Sequence, residues 1–406
     1  MKVVVAQIGA RMHYAVPRIL ADHGLLERLY TDTYIGNKKK LKTLLVSTPS
    51  AIRPRALDRW LGRSSVSIPS ELVTNFERLG LEYKFSRRFL RKNSDLDRIY
   101  ADFGRRFCEQ VAEYGFGEAD IVYCFNGAAL EVFKAAKIEK KLCVLEQTMA
   151  PLAVSARLIR AEEDRWPQYT NGEASAPFRL TSEREEAEWL LADIIVCPSQ
   201  FVVDGIAERG GPAEKCYILP YGVGDAKLHG LQPKPKTLTA EPLRILFCGE
   251  VGLRKGAHYL LEAVKQVQSR SVEVRLAGAV ALPSEVVKSA PKNMRFEGRV
   301  PRSQIMPLYS WADVLVLPSI CEGSATVIYE AIMSGISVIC TPNSGPPNHS
   351  GITVIPAGDL KALVHSLETF QTTSDTFSYN SADEYSLNGY GKRIIKMLDQ
   401  VKINLQ

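Results

Sequence analysis

Short, nearly unbroken apolar runs punctuate the chain, and each ends in a turn or passes into an amphipathic stretch. In the first half they are KVVVAQI (2–8), LERLYTD (26–32), DIVYCFN (120–126), KLCVLEQ (141–147), DIIVCPS (193–199) and CYILPYG (216–222). In the second half they are LRILFCG (243–249), VEVRLAG (272–278), MRFEG (294–298), DVLVLPS (313–319), SVICTP (337–342) and ITVIPAG (352–358). Helix-period stretches such as AHYLLEAVKQVQ (257–268) and TVIYEAIMSG (326–335) lie between them. This alternation predicts parallel sheets with helices on both faces. The pattern restarts near residue 243, after GLQPKPKTLTAEP (230–242), a Pro-rich polar stretch that reads as an exposed linker. The expected fold class is therefore α/β, with two Rossmann-like, doubly wound domains facing each other across a cleft. The expected bounds are 1–225 and 243–385 with a linker at 226–242. A helix at about 386–406 is expected to pack back on the first domain.

Composition narrows this picture. A chain of 406 residues, 46% hydrophobic, can bury two cores and is not a disordered polymer. No window of 18 uninterrupted apolar residues is present, so a spanning helix is not expected. MKVVVAQIGAR meets polar Gln7 and Arg11 too soon for a leader and reads as the first strand of a cytoplasmic protein. The eight cysteines form no CxxC and read as buried reduced thiols. The histidines show no metal-ligand spacing.

The net charge of +6 is uneven. Residues 36–106, helical in pattern, hold 17 Lys and Arg against 7 Asp and Glu, a local +10 that leaves −4 for the rest. The stretch reads as a basic helical insert with contact to an anionic membrane or an anionic acceptor. Tyr83, Phe85 and Phe89 interleave there with Arg87, Arg88 and Arg91, which suits core packing with snorkelling bases. No nucleic-acid motif accompanies it.

Two loops carry candidate chemistry. In LPSICEGSATVIYEAIMSG a strand runs into a short loop and a helix starts near Thr326. Glu322 and Glu330 flank that turn. The backbone N–H groups of Gly323, Ser324 and Ala325 at a helix N-terminus suit a phosphate. Glu330 is placed to accept from ribose hydroxyls, and Glu322 to hold hydroxyls of a group attached to the phosphate. In LFCGEVGLRKGAHYLLEAV another strand ends in a glycine-bearing loop, with Gly249 and Gly252 for the turn. Arg254 and Lys255 follow, two cations suited to a diphosphate that gains charge as a bond to it breaks. In the first half, Arg11 and His13 follow the first strand and Asn126 ends another, all three candidates for the acceptor side.

Together these motifs resemble retaining glycosyltransferases of the GT-B fold, family 4 (glycosyl transferases group 1). CEGSATVIYE is similar to their E-x7-E motif. GEVGLRKG, FEGRVPRSQIMPLYSWADVLVLPS and EGSATVIYEAIMSGISVI follow in the family's order, and ADIIVCPSQFVVDGI and EKCYILPYGVG resemble its earlier segments. The resemblance is strong from about 190 to 345 and weak in 36–110.

It implies metal-independent transfer, with retention, from a UDP- or GDP-sugar to a saccharide, lipid-linked or small-molecule acceptor, without a cofactor. It implies that Glu330 binds the donor ribose, and that Glu322 with Gly323, Ser324, Ala325 and Thr326 holds sugar and phosphate. Lys255 and Arg254 would neutralise the leaving diphosphate beside Gly249. Arg299 and Val300 would border the base, and Gly9 would open the loop facing the diphosphate. The chain departs from the family at Glu250, where Arg is frequent, and at Glu146, where many members carry His near the sugar. The alternatives are a GT-B epimerase or phosphorylase and a non-catalytic binder of anionic membrane or polyanion. A dinucleotide oxidoreductase is disfavoured because GARMHY after the first strand lacks G-x-G-x-x-G.

Overall fold

The computed structural model describes residues 1–36, 63–65, 67–88, 93–171, 178–224, 242–301, 304–371 and 384–404. The expected linker therefore lies almost wholly outside the described residues, as does much of the basic insert.

Two parallel sheets carry the chain. The first comprises β1 (Val3–Gln7), β2 (Leu26–Thr31), β3 (Val73–Asn75), β4 (Ile121–Phe125), β5 (Leu142–Glu146), β6 (Ile194–Cys197) and β7 (Cys216–Ile218), in the order β3-β2-β1-β4-β5-β6-β7. The second comprises β8 (Leu243–Cys248), β9 (Val272–Ala277), β10 (Met294–Gly298), β11 (Val314–Leu317), β12 (Ser337–Cys340) and β13 (Ile352–Val354), in the order β10-β9-β8-β11-β12-β13. The expected α/β class is borne out. One strand was not expected: β3 pairs with β2 inside the insert read as helical. At three residues it is too short to give a period-2 signal.

Strands β1 and β4 are buried at every position because helices cover both faces of the sheet. Val4, Ala6, Val122 and Cys124 join a core with Phe103, Phe107, Val132 and Trp189, from helices Asn93–Tyr114, Leu130–Ile138 and Arg179–Leu191. Val3, Val5 and Tyr123 turn to the other face, where Ile19 meets the C-terminal helix Leu387–Asn404. That helix supplies Tyr390, Ile394, Met397, Leu398 and Val401, a helical stripe inserted into the first sheet's core. The chain returns there past Gly222, where a Cβ would sit 2.3 Å from the Ser386 carbonyl oxygen.

Strand order reverses between β1 and β4 in one sheet and between β8 and β11 in the other. At such a switch point neighbouring loops leave in opposite directions and open a crevice at the carboxyl ends of the strands. The molecule has two of these crevices. Their loops touch: the Ser199 hydroxyl donates to the Gly323 carbonyl at 2.6 Å, and a Cβ on Gly323 would lie 2.2 Å from the Thr148 carbonyl oxygen.

A second joint lies to one side. Helix Leu152–Arg165 and the turn Pro167–Tyr169 leave the first sheet and pack on helix Ala257–Gln266 of the second. Glu162 accepts from the Tyr259 hydroxyl at 3.2 Å and sits 2.9 Å from His258 Nε2. Arg165 and the Trp166 indole N–H donate to the same tyrosine oxygen. Burial lowers the His258 pKa, an effect only partly opposed by Glu162. All eight cysteines are free thiols, and all but Cys216 are buried.

Candidate active site between the two sheets

The second crevice is built by glycines. Gly249 takes φ +133, and a Cβ there would strike the Lys255 side chain at 2.7 Å. Gly256 takes φ +72, and a Cβ there would sit 1.9 Å from the Pro318 carbonyl oxygen. Only glycine lets the loop after β8 pass so close to the loop after β11. The Arg254 carbonyl then accepts from the N–H groups of Ile320 and Cys321 at 2.9 and 3.1 Å.

This contact brings the charged groups together. Lys255 Nζ lies 2.5 Å and Arg254 Nη1 3.0 Å from the same oxygen, Glu322 Oε2. The three are largely buried, with side-chain exposures of 11% for Lys255, 25% for Arg254 and 13% for Glu322. Burial pushes the Glu322 carboxyl up, but Lys255 and Arg254 outweigh it and hold the pKa below the ordinary value. Two cations are thus desolvated and converge on one carboxylate, an arrangement that presents a doubly basic cradle to any anion displacing it.

Glu330 stands on helix Thr326–Met333, 8% exposed, and accepts from the Tyr309 hydroxyl at 2.9 Å. Tyr309 has no counterpart in the sequence reading, because only packing aims it at Glu330. Ser324 is 8% exposed, with its hydroxyl 3.0 Å from that of Tyr329. The Ala325 N–H donates to the Ser344 carbonyl at 2.9 Å, so it is not part of a phosphate nest. Thr326 opens the helix after Ala325, which lacks a side-chain cap. Gly298 ends β10 with φ +66, so exposed Arg299 and half-buried Val300 lie two strands away from β8. A cavity of about 340 Å³ belongs to the first domain, while one of about 400 Å³ lies between the domains, walled by Arg254, Glu250, Tyr169 and Asn171 among others.

The first crevice departs from expectation at Glu146. The Gly9 N–H donates inward to Asp32 Oδ1 at 2.8 Å. Asp32 is buried and ion-paired with Arg63 at 2.6 Å. Glu146, the last residue of β5, is fully buried beneath the first crevice, on the side that packs the C-terminal helix. It accepts from the Tyr123 hydroxyl at 2.6 Å, and burial raises its pKa to about 7 against the pull of Tyr123, Tyr221 and Arg11. Residues 12–14, next to Arg11, form a tight left-handed turn. Met12, His13 and Tyr14 take φ of 45°, 54° and 61°, three successive left-handed residues without a glycine. Such backbone is strained and persists where the surroundings over-determine it. Buried Tyr14 pins the turn by donating to the Thr33 carbonyl and packing edge-on to Tyr34. Arg11 and His13 are left exposed at the mouth of the crevice.

Asn126 directly follows β4 and is held through both its amide nitrogen and its amide oxygen. It donates to Glu185 at 3.2 Å and accepts from the Thr148 hydroxyl at 3.0 Å. Two carboxylates unread in the sequence organise this turn from helix Arg179–Leu191. Glu188 accepts from the N–H groups of Gly127, Ala129 and Leu130 and so caps helix Leu130–Ile138. Glu185 accepts from the Leu152 N–H at the start of the next helix. Burial pushes Glu188 up to about 8 even against these donors. Spacing three apart on a helix was the only signal for this pair.

Residues 242–372 match the family model of glycosyl transferases group 1. A putative colanic acid biosynthesis glycosyltransferase, WcaL of Escherichia coli (strain K12), is 26% identical over 196 residues, 44% of this chain and 47% of that protein. The chain thus matches about half the length of this curated relative. Among solved structures, sucrose-phosphate synthase from Thermosynechococcus elongatus aligns over 100% of both chains with a TM-score of 0.65 and 13% identity. Alr3699/HepE of Anabaena, in complex with UDP-glucose, aligns over 98% of this chain and 100% of its own, with a TM-score of 0.57 and 14% identity. The fold is GT-B, and its second domain matches the glycosyl transferases group 1 family.

Proposed function

We propose that this protein is a retaining glycosyltransferase that moves a sugar from a UDP- or GDP-sugar to a saccharide or lipid-linked acceptor. One observation carries the reading: Lys255 and Arg254 converge on Glu322 at the second switch point, within the segment matched by the glycosyl transferases group 1 model. In this proposal the donor diphosphate takes the place of Glu322 between the two cations, and Glu322 turns to hydroxyls of the sugar. Glu330, held by Tyr309, accepts from the ribose hydroxyls. The bond from the anomeric carbon to the phosphate oxygen breaks, and its electron pair leaves on the diphosphate. The acceptor hydroxyl adds to the same face, and its proton passes to a phosphate oxygen. Lys255 and Arg254 are strongest when that charge is greatest, which is how they lower the barrier. Side-chain cations supply the charge neutralisation, so turnover is expected to be unchanged by EDTA.

Peripheral contact with an anionic membrane forms part of the proposal. Helix Glu77–Arg88 exposes Leu81 at 64% and Phe85 at 67%, one turn apart, beside exposed Arg88. An apolar pair flanked by base suits an interfacial helix. Among the described residues no helix is long and apolar enough to cross a membrane. Co-sedimentation with vesicles is expected to rise with anionic lipid content and to fall in Leu81→Ser, Phe85→Ser.

A thermal-shift screen over nucleoside diphosphates and their sugars tests the main reading. One nucleotide series is expected to raise the melting temperature, since a ligand that binds only the folded state stabilises it. No shift with any nucleotide sugar overturns the reading.

A further inference from the structure

Above the first switch point lies a cavity of about 340 Å³ that the catalytic proposal does not use, within the size range of sites for small ligands. Its walls are aromatic. Tyr83 stacks on Phe103 with ring centroids 4.2 Å apart, Tyr100 lies 6.0 Å from Tyr83, and Phe178 lies 5.7 Å from Tyr100. Its floor is the Asn126–Gly127 turn. Gly104 brings the aromatic helix onto that turn, where a Cβ would lie 2.8 Å from the Gly127 carbonyl oxygen. The cavity is tied to the catalytic loop: Asn126 bonds Thr148, and the Thr148 carbonyl packs on Gly323, the residue after Glu322.

The charges around the cavity are asymmetric. Arg184 is held bidentately by Glu131 at 2.7 and 2.8 Å. Glu185 is buried and occupied by donors from Asn126, Gln147 and Leu152. Arg11 at the rim is exposed and, among the described residues, carries no ion pair. Nearby Glu146 attracts it through the protein, but that carboxyl is buried and bonded to Tyr123. Arg87 lies over the rings of Tyr83 and Tyr100, at 5.6 and 5.7 Å.

We propose that this cavity is the acceptor site and that it takes a sugar ring bearing a carboxylate, with the ring against the aromatic wall and the carboxylate on Arg11. The inference rests on the glycosyltransferase reading for the word acceptor, but not for the ligand chemistry. A pyranose offers an apolar face of C–H bonds to an aromatic ring and a rim of hydroxyls to Asn126 and the tyrosines. A carboxylate matches a guanidinium in two parallel bonds.

Saturation-transfer NMR on the full chain tests this with methyl β-D-glucuronide, methyl β-D-glucoside and inorganic phosphate as probes. The glucuronide is expected to bind about tenfold tighter than the glucoside, the worth of one charge-assisted contact. Phosphate, lacking a ring, is expected not to displace it. Arg11→Ala should abolish the preference, and Arg11→Lys should restore part of it; both changes are at an exposed side chain. Tyr100→Leu should weaken both sugars alike. Equal affinity for the two sugars, displacement by phosphate, or an undiminished preference in Arg11→Ala overturns the proposal. UDP and GDP binding to the same samples separates the two readings. Nucleotide binding without glucuronide preference overturns this inference alone, whereas glucuronide preference without nucleotide binding supports the site and overturns the transferase reading.

Discussion

The two switch points share a topology and differ in how they use charge. In the second domain three charged groups meet one another across 2.5–3.0 Å and stay largely buried, poised for an anion. In the first domain the buried carboxylates Glu185 and Glu188 face helix N-termini, and the crevice above them is aromatic with one exposed guanidinium. The same sheet geometry thus yields a site for stabilising developing charge and a site for holding a ring. The difference is set by what the loops bring, not by the strands.

The largest expected effect is on the charged side. Lys255→Ala should lower turnover by about two to three orders of magnitude, like loss of one oxyanion donor, while folding persists. A donor-consumption assay measures it, and an unchanged rate would remove the contrast between the two crevices. Glu322→Gln sharpens the same point: it frees both cations, so nucleoside-diphosphate affinity by calorimetry should rise while turnover falls.

Next comes the carboxyl beneath the first crevice. Burial raises Glu146 from 4.5 to about 7. A raised folded-state pKa means that its contribution to stability is fully present below about pH 4.5 and is lost as pH rises to about 7. The loss amounts to about 3 kcal/mol. Glu146→Gln should therefore flatten the fall in stability between pH 5 and 8 in chemical denaturation, without changing nucleotide affinity. A fall of the same size in the variant would place the titrating group elsewhere.

The joint between the crevices is smaller in energy. Gly323→Ala must part the Thr148 contact of 2.2 Å, at a cost of about 1–3 kcal/mol. Turnover should drop more than nucleotide binding, because the contact joins the domains rather than lining the cations. Smallest of all, Arg105→Ala removes ion pairs to Asp102 and Glu109 in which every side chain is 44–52% exposed. Stability should change by no more than about 0.5 kcal/mol. A larger change would mean that the insert's surface charge holds the aromatic wall in place.

Local pattern carried a great deal of this protein. Among the described residues twelve of thirteen strands were legible as apolar runs, most plainly β1 and β4, because a strand buried on both faces is apolar at nearly every position. The catalytic candidates of the second domain were legible too, since Arg254, Lys255, Glu322 and Glu330 all lie in two continuous strand–loop–helix segments. Their mutual ion pairing was not, because it depends on Gly249 and Gly256 letting two loops touch.

The first crevice was mostly invisible. Its walls come from segments around residues 11, 83, 100–103, 126 and 178–185, which share no local spacing. Glu146 sits where a cleft residue was expected, yet β5 turns it toward Tyr123 and the C-terminal helix, and one step of strand register decides that face. Arg11 was read as a cleft residue, but its exposure depends on three left-handed residues that no composition foretells.

The sequence by itself determined the α/β class, the restart of the pattern near residue 243 and the acid–base inventory of the donor-side loops. These follow from periodicity and from residues adjacent along the chain. Only the tertiary structure decided which carboxylates face the cleft, which cap helices and which cation stands exposed at the first crevice. Those choices are made by side chains brought together from distant segments, where burial and the pairing of charge settle the role of each.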